Sequence, residues 1–195
     1  MLFSSSVTKA AAASDQTEAV ITAITNYAEQ KTFKSSYCGK AWGCFAFCNY
    51  VWKNVFGHDY YSGKLTTIST RGKSSNVYQF PSQNQAKAGD ILWCHSPNSG
   101  KESITHNMII LKYDSSGIWL SDATSAGEQW HNNEKINYDS PDYKDNFNGS
   151  CILTLYKISD NLWNSVSPTS ASIEKNQNPP LEKHPSPLYR STDNP

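Results

Sequence analysis

The sequence predicts an α+β domain, with helices first and an antiparallel sheet after them. Two observations carry this. Apolar residues recur at helical spacing in two stretches of the first sixty residues, and short strand-like segments bounded by Gly, Pro, Asn or Ser clusters follow. Helical patterns before strand patterns is the order of an α+β arrangement.

The first helix is expected over Asp15–Gln30. Val20, Ile24 and Tyr27 stand at i, i+4 and i+7, with Ala23 and Ala28 beside them, and Asp15 with Glu18 fits a capping box. Residues 1–14 are small and polar and are expected to be disordered. Lys31–Ala41 reads as a loop. The second helix is expected over Gly43–Phe56, with Gly57 placed as a C′ glycine; it is apolar nearly all round and so buried on most sides.

Strands are expected over Lys64–Ser69, Asn76–Phe80, Asp90–Cys94, Ile104–Tyr113, Ile118–Asp122 and Cys151–Ile158. Asn132–Ser150 is polar and reads as a long surface loop. From Ser165 the composition changes: six of the nine prolines lie between Pro168 and Pro195. Residues 165–195 therefore read as a Pro-rich linker or tail, and the folded domain as 15–164.

The 195 residues carry 17 basic and 17 acidic side chains, a formal net charge of zero, so no charge excess steers the chain to nucleic acid. Apolar runs are too short for a membrane span, and a monomer is expected. The segment Met1–Ala13 lacks the basic start and long apolar core of an intact signal peptide. Its Ala10–Ala13 run looks like the end of one, so an exported protein is expected.

Five cysteines (Cys38, Cys44, Cys48, Cys94 and Cys151) leave at least one thiol outside any intramolecular disulfide set, and none has zinc-site spacing. Cys44 stands at the predicted helix N-terminus. There the macrodipole favours a thiolate, and backbone N–H groups can face a developing oxyanion. The bland alternative is a buried, inert cysteine. Cys48, one turn further in, reads as a core residue, and Cys38 as a loop cysteine.

A cysteine nucleophile needs a base. His184 lies in the tail, His131 in the polar loop, His58 beyond the far end of the helix and His95 at a strand end. His106 heads an apolar strand that would hold it firmly. The alternative is a strand-edge histidine with no role. If Ser115, Ser116 and Gly117 form a three-residue bulged turn, Asp114 pairs with Ile118. His106 then shares a sheet face with Asp122 and Thr124. An even loop would put Asp122 on the other face, and a solvated strand-end acid is its alternative reading.

With these residues placed, the chain resembles the papain-like CHAP domains (cysteine, histidine-dependent amidohydrolases/peptidases) and their NlpC-type relatives. The match covers Ser35–Ile158. Gly43-Cys-Phe-Ala-Phe47 looks like that family's nucleophile helix and Ala88-Gly-Asp-Ile-Leu-Trp93 like its Gly-Asp-then-strand signature. Thr105-His-Asn-Met-Ile-Ile110 looks like its histidine strand, and Ser121-Asp-Ala-Thr124 sits where it carries an acid and an Asn. Two positions depart: Gly43 replaces the Gln common before the cysteine, and Thr124 replaces the Asn.

The resemblance implies a papain-like fold with Cys44 as nucleophile, His106 as base and Asp122 as orienting acid, and with Gly43, Thr124 and Tyr37 as supporting positions. It implies a hydrolase of amide bonds in peptidoglycan peptides, needing no metal or cofactor and acting outside the cell or at its wall. Transglutamination or deamidation of a protein on the same geometry, and a wall-binding module with a weakened site, stand beside it as rival readings.

Overall fold

A computed structural model of the chain describes residues 4–29, 43–60, 66–70, 80–95, 105–123, 130–140 and 152–167. Among the described residues four helices and six strands follow one another as α1 (Ser4–Ala28), α2 (Gly43–Phe56), β1 (Thr66–Thr70), α3 (Phe80–Gln83), β2 (Ile91–His95), β3 (Thr105–Tyr113), β4 (Gly117–Ala123), β5 (Trp130–Asn137), β6 (Ile152–Lys157) and α4 (Asp160–Asn164). The sheet order is β1-β6-β2-β3-β4-β5 and every pairing is antiparallel. The α+β class is as expected.

The two long helices and the sheet enclose the main core. Val20, Ile24 and Ala28 of α1 meet Phe47, Cys48, Val51, Trp52 and Phe56 of α2 over Ile91, Ile109 and Ala123 of the sheet. A second cluster, with Leu92, Met108, Ile110, Leu120, Leu153 and Leu155, includes the strand residues that alternate with these. Met108, Ile109, Ile110 and Leu111 are all essentially inaccessible. β3 is thus covered on both faces, which accounts for its unbroken apolar run.

Ala88-Gly89-Asp90 pins the layers together. Gly89 has φ +93°, and a Cβ there would come 2.8 Å from Phe56 Cζ, so only glycine fits without strain. Its carbonyl accepts from Trp52 Nε1 at 2.7 Å, and the Ala88 carbonyl accepts from Trp163 Nε1 at 3.1 Å. The buried Asp90 carboxylate accepts the N–H groups of Lys87 at 3.0 Å and Ile158 at 2.8 Å. The Gly-Asp pair therefore locks α2, β3 and the end of β6 in place, which is a structural duty.

Several boundaries differ from the sequence expectation. α1 begins at Ser4, not Asp15, so residues 4–14 are helical and the Asp15–Glu18 pair caps nothing. The alanine run at 10–13 has the highest helix propensity of any residue type, which carries the helix upstream. Phe80 opens the short helix α3 instead of closing a strand; residues 76–79 lie outside the described residues. Residues 132–137 belong to strand β5, not to a loop. As the edge strand it has one neighbour and no obligatory apolar face, so its polar sequence hid it. The domain also runs past residue 164. Val166 is buried in the main core, and Gln16 Nε2 donates to the carbonyls of Trp163 and Val166. The rest of the proposed tail, from 168 onward, lies outside the described residues.

Candidate active site

Gly57 ends α2 with φ +72° and an N–H bond to the Lys53 carbonyl, as a C′ glycine should. At the other end Gly43 and Cys44 are the first two residues of the helix, and both are buried. Cys44 thus lies in the first helical turn, where N–H groups point along the axis rather than to an intrahelical partner.

β3 and β4 bring the other two residues, by a route the sequence did not predict. Tyr113 pairs with Ile118, and Asp114 N–H donates to the Gly117 carbonyl. The loop therefore holds only Ser115 and Ser116, an even turn in place of the expected three-residue one. The Asp114 carboxylate stabilises it by accepting the N–H of Ser116 at 2.7 Å and of Gly117 at 3.0 Å. Gly117 is glycine because β5 passes close by: a Cβ would come 2.5 Å from the Ile136 carbonyl oxygen.

An even turn alone would turn Asp122 away from His106. A bulge reverses that: Ile110 pairs with Leu120 and Lys112 with Trp119, leaving Leu111 as an extra residue in β3. The ladder beyond it, through Ile109–Ser121, sets Asp122 diagonally across from His106. His106 Nε2 lies 2.7 Å from Asp122 Oδ2.

Since Nε2 is taken, Nδ1 is the nitrogen left to face Cys44, and the imidazole hydrogen-bonds the sulfur. Asn107 grips the same sulfur. Its backbone N–H bonds it, and its side-chain Nδ2 lies 4.0 Å away. Tyr60 Oη donates to Asn107 Oδ1 at 3.1 Å, which fixes the amide with its NH₂ toward Cys44.

Electrostatics follow from these contacts. Burial opposes the Cys44 thiolate, but the hydrogen bond and charge of His106, with the two Asn107 donors, outweigh it and hold the thiol below its ordinary value. Burial likewise opposes a charged His106, yet Asp122 and Cys44 raise it to about 9. Asp122, despite burial, is held down at about 2 by His106 and His131. The contacts thus favour a thiolate on Cys44 beside an imidazolium on His106, backed by the Asp122 carboxylate. Cys48 is the opposite case: wholly buried, it is pushed well above its ordinary value by burial, then by the charges of Cys44 and Asp122. It is a core thiol, as expected.

Cys44, His106, Asp122 and Gly43 are thus brought together. Thr124 and Tyr37 lie outside the described residues, as do Cys38 and Cys151. Sequence reasoning passed over three residues. Asn107 had its position beside His106 as a signal. Tyr60 had none. His131 reads as a loop residue from its polar surroundings, yet β5 places its Nδ1 2.7 Å from Asp122 Oδ1. Among the described residues no group of three or more His, Cys, Asp or Glu side chains is disposed to hold a metal ion, and no helix is long and apolar enough to cross a membrane. No family model, curated protein or solved structure matches the chain.

Proposed function

We propose that the protein is a cysteine hydrolase that cleaves amide bonds of peptidoglycan peptides, as an amidase or endopeptidase of the papain-like CHAP/NlpC type acting at the cell wall. The observation that carries the chemistry is the chain from the Cys44 sulfur through His106 to the buried Asp122, 2.7 Å from the imidazole. The substrate class rests on the resemblance of the residues around Cys44, Gly89-Asp90 and His106 to that family.

In this reading the Cys44 thiolate attacks the amide carbonyl carbon, and the carbonyl oxygen takes up the displaced electron pair. The N–H groups of the first turn of α2 and the Asn107 amide, whose Nδ2 lies 4.0 Å from the Cys44 sulfur, are the donors this reading assigns to that oxygen. Asn107 thus supplies the side-chain donor that a Gln before the cysteine would give, and that Gly43 lacks. The His106 imidazolium passes its proton to the leaving amine as the C–N bond breaks, which leaves an acyl-thioester on Cys44. His106, now neutral, takes a proton from water, and the resulting attack releases the acid and regenerates the pair. Asp122 keeps the imidazole oriented and stabilises its charge.

The test is digestion of purified peptidoglycan with mass analysis of the products, for the protein and its Cys44→Ser form. New amine and carboxyl ends on peptide fragments, absent with Cys44→Ser, are expected. An unchanged wall alongside amide-to-acid conversion or crosslinking of a protein substrate would replace this reading with deamidation or transglutamination.

A further inference from the structure

The second oxygen of Asp122 is as firmly held as the first. His131 Nδ1 lies 2.7 Å from Oδ1, matching the 2.7 Å between His106 Nε2 and Oδ2. The carboxylate is nearly inaccessible, whereas the His131 ring is 39% exposed. One buried acid is thus clamped between an inner histidine that touches the nucleophile and an outer one that reaches solvent.

A second bulge makes this possible. Leu120 pairs with Glu134, but Asp122 pairs with His131, so Asn132 and Asn133 together oppose Ser121. In an unbroken ladder Asn132 would stand opposite Asp122. Asn133 adopts φ +55° to form the bulge, a conformation asparagine tolerates better than most residues. Ser121 Oγ holds it, accepting the Asn133 N–H at 3.2 Å and donating to Asn132 Oδ1 at 3.1 Å, while Asn132 Nδ2 donates to the Thr25 carbonyl of α1. β4 therefore has one bulge on each side, in β3 and in β5, and the two direct His106 and His131 at the same carboxylate. Bulges beside active sites commonly re-aim a side chain in this way.

We propose that His131 is a positioning residue: by donating to Oδ1 it locks the Asp122 carboxylate in the rotation that presents Oδ2 to His106, and so sustains the Cys44–His106 ion pair. The inference rests on the reading of Cys44 and His106 as nucleophile and base. The charged groups facing the His131 ring are Asp122, Glu134 at 3.7 Å and, across the carboxylate, His106. Without the donor, Oδ1 of the buried carboxylate loses its partner, the rotation of Asp122 is no longer fixed, and His106 loses part of its support.

The test needs no substrate. Thiolate absorbance is followed against pH as the difference between each protein and the same protein carrying Cys44→Ser. In the unmodified protein the Cys44 inflection is expected below that of an ordinary thiol. His131→Ala should move it up by about one pH unit, the scale of one lost hydrogen bond to a charged group. His131→Asn, whose amide can replace the Nδ1 donor, should restore it to within a few tenths. A His131→Ala inflection that coincides with the unmodified one, in a protein whose melting shows it folded, overturns the inference and leaves the nucleophile assignment standing. An ordinary inflection in the unmodified protein overturns the nucleophile assignment itself.

Discussion

His106 and Asp122 meet at 2.7 Å across a hairpin whose two-residue turn has the wrong parity to bring them together. Leu111, the extra residue in β3, corrects the parity. The pairing therefore depends on the bulge at Leu111, and the chain order Cys, His, Asp yields a candidate site only because of it.

The nucleophile is tested by two serines. Cys44→Ser should abolish turnover and leave folding intact, because the position is the helix start and not the packed centre of the core. Cys48→Ser buries a hydroxyl in a fully enclosed site and should cost about 1–3 kcal/mol of stability in a denaturant titration. Turnover that survives Cys44→Ser but not Cys48→Ser would move the nucleophile one turn along α2.

Asn107 and Tyr60 should act as a pair on rate. Asn107→Ala removes the amide facing Cys44, and a fall in kcat of about a hundredfold is expected. Tyr60→Phe leaves the amide in place but frees its orientation, so its effect should be smaller and should vanish in the Asn107→Ala background. Additive losses in a double-mutant cycle would show that the two do not act through one contact.

The titrations give a signed prediction. His106 is raised from 6.5 to about 9 in the folded protein, so the stability it contributes is complete below about pH 6.5 and is lost as pH rises through 9. Asp122 is lowered from 3.8 to about 2, so its contribution is complete above about pH 4 and is lost as pH falls through 2. Melting followed against pH should show the acid limb in the unmodified protein, and the alkaline limb reduced by Cys44, whose lowered thiol adds stability as pH rises. In His106→Ala the alkaline limb should shrink to the part that His131, raised by its bond to the same carboxylate, contributes.

Gly89→Ala should destabilise by about 1–3 kcal/mol, since alanine there pays both for a positive φ and for a Cβ driven against Phe56. Chemical denaturation reads this directly. A neutral result would mean that the Phe56 ring and the Gly89 turn yield more easily than their packing implies.

The chain's end offers a comparison of two truncations. Stopping at Asn164 removes Val166 from the core together with a carbonyl that Gln16 binds, and should lower the melting temperature by several degrees relative to stopping at Ser167. Equal melting would place the domain boundary where the proline-rich composition first suggested it.

What could be read from the sequence was what local pattern encodes. The helix of Cys44 showed itself through its apolar circumference and Gly57, and β3 through its continuous apolar run. Cys44, His106 and Asp122 followed from residue chemistry set on those elements. The turn and the bulges did not follow, because a bulge changes register by one residue and leaves no mark in hydrophobic alternation. β5 was lost for a related reason: an edge strand needs no apolar face, so His131 and its neighbours read as loop. Tyr60 reaches Asn107 from a turn beyond α2, a contact between segments far apart in the chain that no local pattern announces. The start of α1 lies upstream of the capping pattern at Asp15 because the alanines before it carry the helix on to Ser4.

The central claim is that His106 activates Cys44 by favouring its thiolate. Alkylation by iodoacetamide at pH 6.5, with the labelled peptides located by mass, tests this most directly. Cys44 should react far faster than Cys48 or Cys94 in the folded protein, and His106→Ala should slow its labelling at least tenfold while leaving the other two unchanged. Labelling of Cys44 at the rate of an ordinary thiol, unaffected by His106→Ala, would contradict the account.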